Sequence, residues 1–269
     1  MTWTRFAPAT VVLALGASVA CAATAQAGGI QPATTPDTTP PASSTGGGGT
    51  ASSEFCDAFV ALELSFARMP DDPALTEEFL ATEVAPLLPV ISDNAPADIA
   101  AEVGVRVEAE ALAITGDESL FDSPEYAEAS AVIYPALEAA CGLATVAVSA
   151  ADYTFGGVPE KLAGGPTLFV MHNESERGEF HVMVLMQLND GDDVTLDELL
   201  SMPEDEALQH VASEYVVAAE ADSVSGAIAD LTPGRWIYIC PIPVGTTYGE
   251  EGTGPPHFVE GMSGEFIVE

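Results

Sequence analysis

The sequence predicts an α+β multidomain protein: a disulfide-tied four-helix bundle followed by an all-β sandwich or barrel that carries a helical insertion. Three observations predict it. Apolar residues recur at helical spacing across 54–144, and Cys56 and Cys141 fall near the two ends of that stretch. After Gly142 the pattern changes to short runs of Val, Ile, Phe and Tyr broken by Gly and Pro. A length of 269 residues is enough for two modest domains.

The chain opens with a leader-like segment, in which Arg5 precedes an apolar run over 9–20 and the small-residue site Ala25-Gln26-Ala27. That run is too short to cross a bilayer, which takes about 20 residues. The same segment holds Ser18-Val19-Ala20-Cys21, which resembles a bacterial lipobox with Cys21 as the lipidation candidate, so both a cleaved signal and a lipid anchor are open. Either route places the mature protein outside the cytoplasm, in the cell envelope or beyond it. Residues 28–53 are Thr, Pro, Ser and Gly without apolar periodicity, the composition of a flexible tether.

Helices are expected near 54–68, 75–91, 96–115 and 124–141. Phe55, Phe59, Leu62 and Phe66 mark the first, Pro86 and Pro89 should kink or end the second, and Ser123-Pro124 caps the fourth. In an up-down-up-down bundle the first helix starts where the fourth ends, which brings Cys56 within reach of Cys141. Outside the cytoplasm the two form a disulfide. Strands are expected over 145–155, 166–171, 179–188, 224–230, 235–240 and 264–268, with a helical insertion over 195–219 marked by Leu196, Leu199 and Leu200.

Composition excludes several partners. Against 42 Asp+Glu stand 6 Lys+Arg, a formal charge of -36. Phosphate contacts need clustered cations, so nucleic acid is excluded, and anionic membrane surfaces are disfavoured for the same reason. Membrane contact is expected only through lipid at Cys21. So much negative charge reads as a solvated, self-repelling surface. Asp192-Asp193 and the Glu-rich helices belong to it, and no catalytic motif appears, so the protein is expected not to be an enzyme.

With Cys21 in the leader and Cys56 paired with Cys141, Cys240 is left over. An odd thiol in an exported protein is open to oxidation unless buried or ligated. Downstream stand His257 and Met262, and an earlier strand carries His181. A thiolate, two imidazoles and a thioether form the ligand set of a blue-copper site, a trigonal His₂Cys plane with a weak axial Met. His172 and His210 lack such a context.

The stretch 145–269 resembles the cupredoxins, the family of plastocyanin, azurin and amicyanin. The resemblance rests on Glu179-Phe180-His181-Val182, on the strand that ends in Trp236-Ile237-Tyr238-Ile239-Cys240, and on Pro256-His257-Phe258-Val259-Glu260-Gly261-Met262. It implies a Greek-key sandwich holding one type 1 copper ion on His181, Cys240, His257 and Met262. It also implies one-electron transfer, with a transient redox partner docking at an exposed His257 edge among Pro255, Pro256, Phe258 and Val259. Loop 241–256 is longer than in the small cupredoxins, resembles a bacterial branch of such domains, and leaves more disorder to freeze out. It also brings Tyr248, Glu250 and Glu251 near the site. Copper capture or delivery at the envelope, and a metal-free scaffold used as a binding module, are the alternatives. An oxidase or nitrite reductase needs further His-rich sites, and the chain has 4 His.

Overall fold

The computed structural model describes residues 51–70 and 72–269. The leader, Cys21 and the tether up to residue 50 lie outside the described residues. Helix α1 (Ser53–Phe66) starts where the Ser52 hydroxyl accepts the Phe55 N–H at 3.1 Å. Helix α2 (Pro73–Phe79) runs into a π-turn, Leu80–Val84, in which the Ala85 N–H reaches back to Leu80 O. Pro86 has no N–H to continue the ladder, so the chain restarts as α3 (Leu87–Asn94), and the single helix expected near 75–91 is two. Helices α4 (Ala100–Ala113) and α5 (Pro124–Cys141) follow. Ser123 caps α5, and Gly142 closes it in the left-handed region at φ 63°.

The Cys56–Cys141 bridge is present, with Cα atoms 5.5 Å apart, and ties α1 to the end of α5. The helices do not close into a free-standing bundle. Phe55, Phe59, Leu62, Ile91, Val103, Ile133 and Leu137 share one core with Leu168, Val170 and Ile228 of the sheet. They form a layer whose remaining wall is a β-sheet.

Strands β1 (Ala144–Ala151), β2 (Thr154–Gly156), β4 (Gly165–Asn173) and β7 (Val224–Leu231) make one sheet in the order β2-β1-β4-β7. The second sheet runs β3-β9-β8-β5-β6, from β3 (Lys161–Leu162), β5 (His181–Leu188), β6 (Val211–Ala219), β8 (Gly234–Ile239) and β9 (Ser263–Val268). The sheets enclose a common core that includes Val148, Phe169, Met171, Leu185, Trp236 and Phe266, which makes them a sandwich. In β4 the side chains alternate in destination. Leu168 and Val170 enter the helical core, while Phe169 and Met171 enter the sandwich core.

The expected helical insertion is shorter than its pattern suggested. A capping box of Thr195 and Glu198 starts α6 (Leu196–Ser201), and α7 (Glu204–Ala207) and a 3₁₀ turn, Leu208–His210, follow. Residues 211–219 are instead strand β6, paired antiparallel with β5, because Val211, Tyr215, Val216 and Val217 suit a pleated surface better than a helix. Among the described residues no helix is long and apolar enough to cross a membrane.

Candidate metal centre

Three segments converge at one end of the sandwich. His181 is the first residue of β5, paired with Ala219 of β6. Cys240 follows the last residue of β8. His257 opens a 3₁₀ turn, His257–Glu260, that ends at Gly261 with φ 113°, a conformation open to glycine, immediately before Met262. Backbone hydrogen bonds lock these pieces together. The Cys240 N–H donates to Met262 O (2.9 Å), Phe258 N–H to Cys240 O (2.9 Å), His257 N–H to Ile242 O (2.9 Å) and Met262 N–H to His257 O (3.1 Å).

Loop 241–256 is folded on itself. The Val244 N–H donates to Pro255 O and the Gly254 N–H to Val244 O, while a Cβ on Gly252 would stand 2.3 Å from Val244 O. The Phe180 N–H donates to Thr246 O, and the Tyr248 hydroxyl donates to Asp122 O in the helical layer.

The ligand atoms point inward. Nδ1 of His181 and Nδ1 of His257 are 3.2 Å apart, and Cys240 Sγ is 3.3 Å from His257 Nδ1. Potential ligand atoms of all three residues lie within 4.8 Å of one another. His181, Cys240, His257 and Met262 are each 0% exposed. Two nitrogens bound to one ion at about 2.0–2.1 Å stand about 3.1–3.6 Å apart for bond angles of about 100–120°. The observed nitrogens meet that requirement, so a metal ion fits between these donors. Two imidazoles and one thiol are the equatorial set of a blue-copper site.

Burial sets the protonation states. Loss of solvent lowers the His181 imidazole to about 4, with the neighbouring His257 adding to the effect, and lowers His257 to about 4 as well. Both rings are therefore neutral donors at physiological pH. The Cys240 thiol is pushed up to about 12 by burial, against the opposing pull of the Val182 and Ile242 backbone N–H groups. The Val182 N–H donates to Cys240 Sγ at 3.5 Å. The thiol would give up its proton to serve as a ligand, with a cation among the three donors supplying the field for it.

The far side of His257 departs from expectation. Its Nε2 faces Glu179 Oε2 at 2.9 Å, an ion-pair distance off the line of a hydrogen bond. The Tyr153 hydroxyl donates to Glu179 Oε1 at 3.2 Å, and the Tyr153 ring packs edge-on against the His257 ring at 5.0 Å. Arg177 donates to the Tyr153 hydroxyl and lies over its ring. The exposed His257 edge expected from the family resemblance is therefore absent. Phe258 is also buried, while Val259 is 61% exposed. Sequence reasoning did not reach this cap; a carboxylate two residues before His181 was its one local signal. His172 is exposed on β4, and His210 pairs with Asp192 at 2.6 Å, so neither joins the centre.

A two-sheet sandwich with a buried His₂Cys cluster at one end is a fold whose donors can hold a single metal ion. Solved structures similar to this chain include auracyanins and rusticyanins. Auracyanin B is 22% identical, with 46% of this chain and 88% of that one covered and a TM-score of 0.29. Auracyanin A, a "blue" copper protein from Chloroflexus aurantiacus, is 15% identical (48% and 100% covered, TM-score 0.29). Rusticyanin from Thiobacillus ferrooxidans is 17% identical (46% and 77% covered, TM-score 0.25). No protein-family model matches the chain, and no curated protein matches it.

Proposed function

We propose that this is an exported type 1 copper protein that carries single electrons for a transient redox partner. The observation that carries the reading is the convergence of two imidazole Nδ1 atoms and one thiol sulfur, 3.2 and 3.3 Å apart, in a pocket closed to water. When bound, copper supplies one-electron exchange. His181 and His257 would hold the ion as neutral imidazoles and Cys240 as a thiolate steadied by the Val182 N–H, with Met262 supplying a thioether. The backbone bonds among Cys240, His257 and Met262 hold the donors at one spacing, which limits rearrangement between oxidation states. The leader places the protein outside the cytoplasm, and lipid on Cys21 anchors it if the lipobox is used. Complete burial of the four side chains opposes rapid ion exchange and weighs against the delivery alternative.

The test is reconstitution with Cu(II) beside a Cys240→Ser variant. An intense thiolate-to-copper visible band at one copper per chain, lost in the variant, supports the reading. A colourless protein that binds copper no better than Cys240→Ser overturns it.

A further inference from the structure

We propose that Glu179 is a positioning residue of the metal centre: its carboxylate fixes the His257 ring through Nε2 and, by its negative charge, favours the oxidised over the reduced copper ion. The inference rests on the copper reading above and concerns how this chain tunes that site.

The geometry is specific. With both Nδ1 atoms turned toward the ion, the ring proton of His257 sits on Nε2, facing Glu179 Oε2 at 2.9 Å. The contact lies off the hydrogen-bond line, so it acts through charge at close range. A carboxylate that draws this outer N–H into line when the imidazole binds metal sets the ring's orientation and raises its donor strength. Glu179 is itself held. Its backbone N–H donates to Ser175 Oγ at 3.2 Å, its carbonyl accepts from Asn173 Nδ2 at 2.9 Å, and its Oε1 accepts from Tyr153. Its side chain is 7% exposed and the His257 ring 0%, so solvent screens the pair weakly. Greater imidazole donation and a weakly screened negative charge both stabilise the higher-charged ion. The exposed Arg177, which reaches the same Tyr153 hydroxyl at 3.3 Å, offsets part of that charge from outside.

The experiment measures reduction potential, together with Cu(II) and Cu(I) affinities by chelator competition, for the wild type, Glu179→Gln, Arg177→Met and the exposed control Glu174→Gln. Glutamine keeps the volume and an acceptor for Tyr153 but removes the charge. Expected for Glu179→Gln is a Cu(II) affinity lowered about tenfold more than that for Cu(I), a rise in potential of about 59 mV for one electron. Arg177→Met, which removes the opposing charge, is expected to shift the potential the other way, and Glu174→Gln to leave it unchanged. Should Glu179→Gln fail to fold, the sign of the Arg177→Met shift decides the matter, because that side chain is exposed. A blue wild type whose potential is unmoved by the Glu179 and Arg177 changes, moves the same way in both, or moves equally in Glu174→Gln overturns the proposal alone. A wild type that never develops the thiolate band overturns the copper reading and this proposal with it.

Discussion

Copper binding should release one proton per ion over a wide pH range, and the structure says where that proton comes from. In the metal-free pocket the Cys240 thiol, pushed up to about 12, is protonated at every physiological pH. Moving it from its ordinary 9.0 to about 12 corresponds to on the order of 4 kcal/mol of extra cost for ionisation. The two imidazoles, lowered to about 4, carry no proton to lose. Binding thus displaces the thiol proton alone, and the apparent association constant rises about tenfold per pH unit, or about 100-fold from pH 6 to pH 8. Below about 4 the imidazoles compete as well and the dependence steepens toward three protons. Calorimetric titration in buffers of different ionisation enthalpy counts the protons directly, and chelator competition at the two pH values, corrected for the chelator's own protonation, checks the slope. Zero protons at pH 7 would remove the Cys240 thiol from the ligand set. Two or more would show that an imidazole is charged in the empty site, against the burial described here.

Two further outcomes test the helical layer. Glu110, buried beside Arg106 and Glu63, has its carboxyl pushed up to about 7 by loss of solvent, with Arg106 opposing. Its contribution to stability is fully present below the ordinary 4.5 and is lost as pH rises through about 7. Glu110→Gln should therefore gain stability relative to wild type between pH 5 and pH 8, by on the order of 3 kcal/mol in urea unfolding, and a pH-independent difference would contradict the assignment. Paired Cys56→Ala and Cys141→Ala changes open a loop with a sequence separation of 85 and should cost about 4–5 kcal/mol on the chain-entropy account, read as a lower urea midpoint with an unchanged visible spectrum.

Much of the centre was legible because its chemistry is carried by rare residue types. In a chain with 4 Cys and 4 His, a leftover cysteine at a strand end followed by His257 and Met262 leaves few occupations for those residues. The disulfide was legible from the expected helix directions together with a setting outside the cytoplasm. The cap over His257 was not, because Tyr153, Arg177 and Glu179 come from two separate turns, and nothing in either segment says that they face a residue near 257. Tyr153 reaches its place through a left-handed backbone conformation, φ 70°, which apolar periodicity does not report. Strand β6 was hidden for a different reason. The leucine spacing that correctly marks α6 was carried past the 3₁₀ turn at Leu208–His210, where β-branched residues take over and pairing with β5 decides the conformation.

The helical layer was read as a separate bundle because its periodicity is self-sufficient; what periodicity cannot show is which core a face joins. Strand β4 holds the answer in its burial. Residues 167–171 are all buried, as happens when both faces of a strand are covered, so an uncovered sheet would present Leu168, Val170 and Ile228 to water. The layer is therefore part of what permits this sheet to exist in solution. Its reach extends to the metal centre as well, since Tyr248 of loop 241–256 donates to Asp122, while the Phe180 N–H beside His181 is held by Thr246 of the same loop. A long loop between Cys240 and His257 would ordinarily carry disorder into the ligand set. Here Tyr248 ties the loop to the helices and Thr246 ties it to Phe180 beside His181, so much of the loop's length is absorbed as structure before it reaches His257.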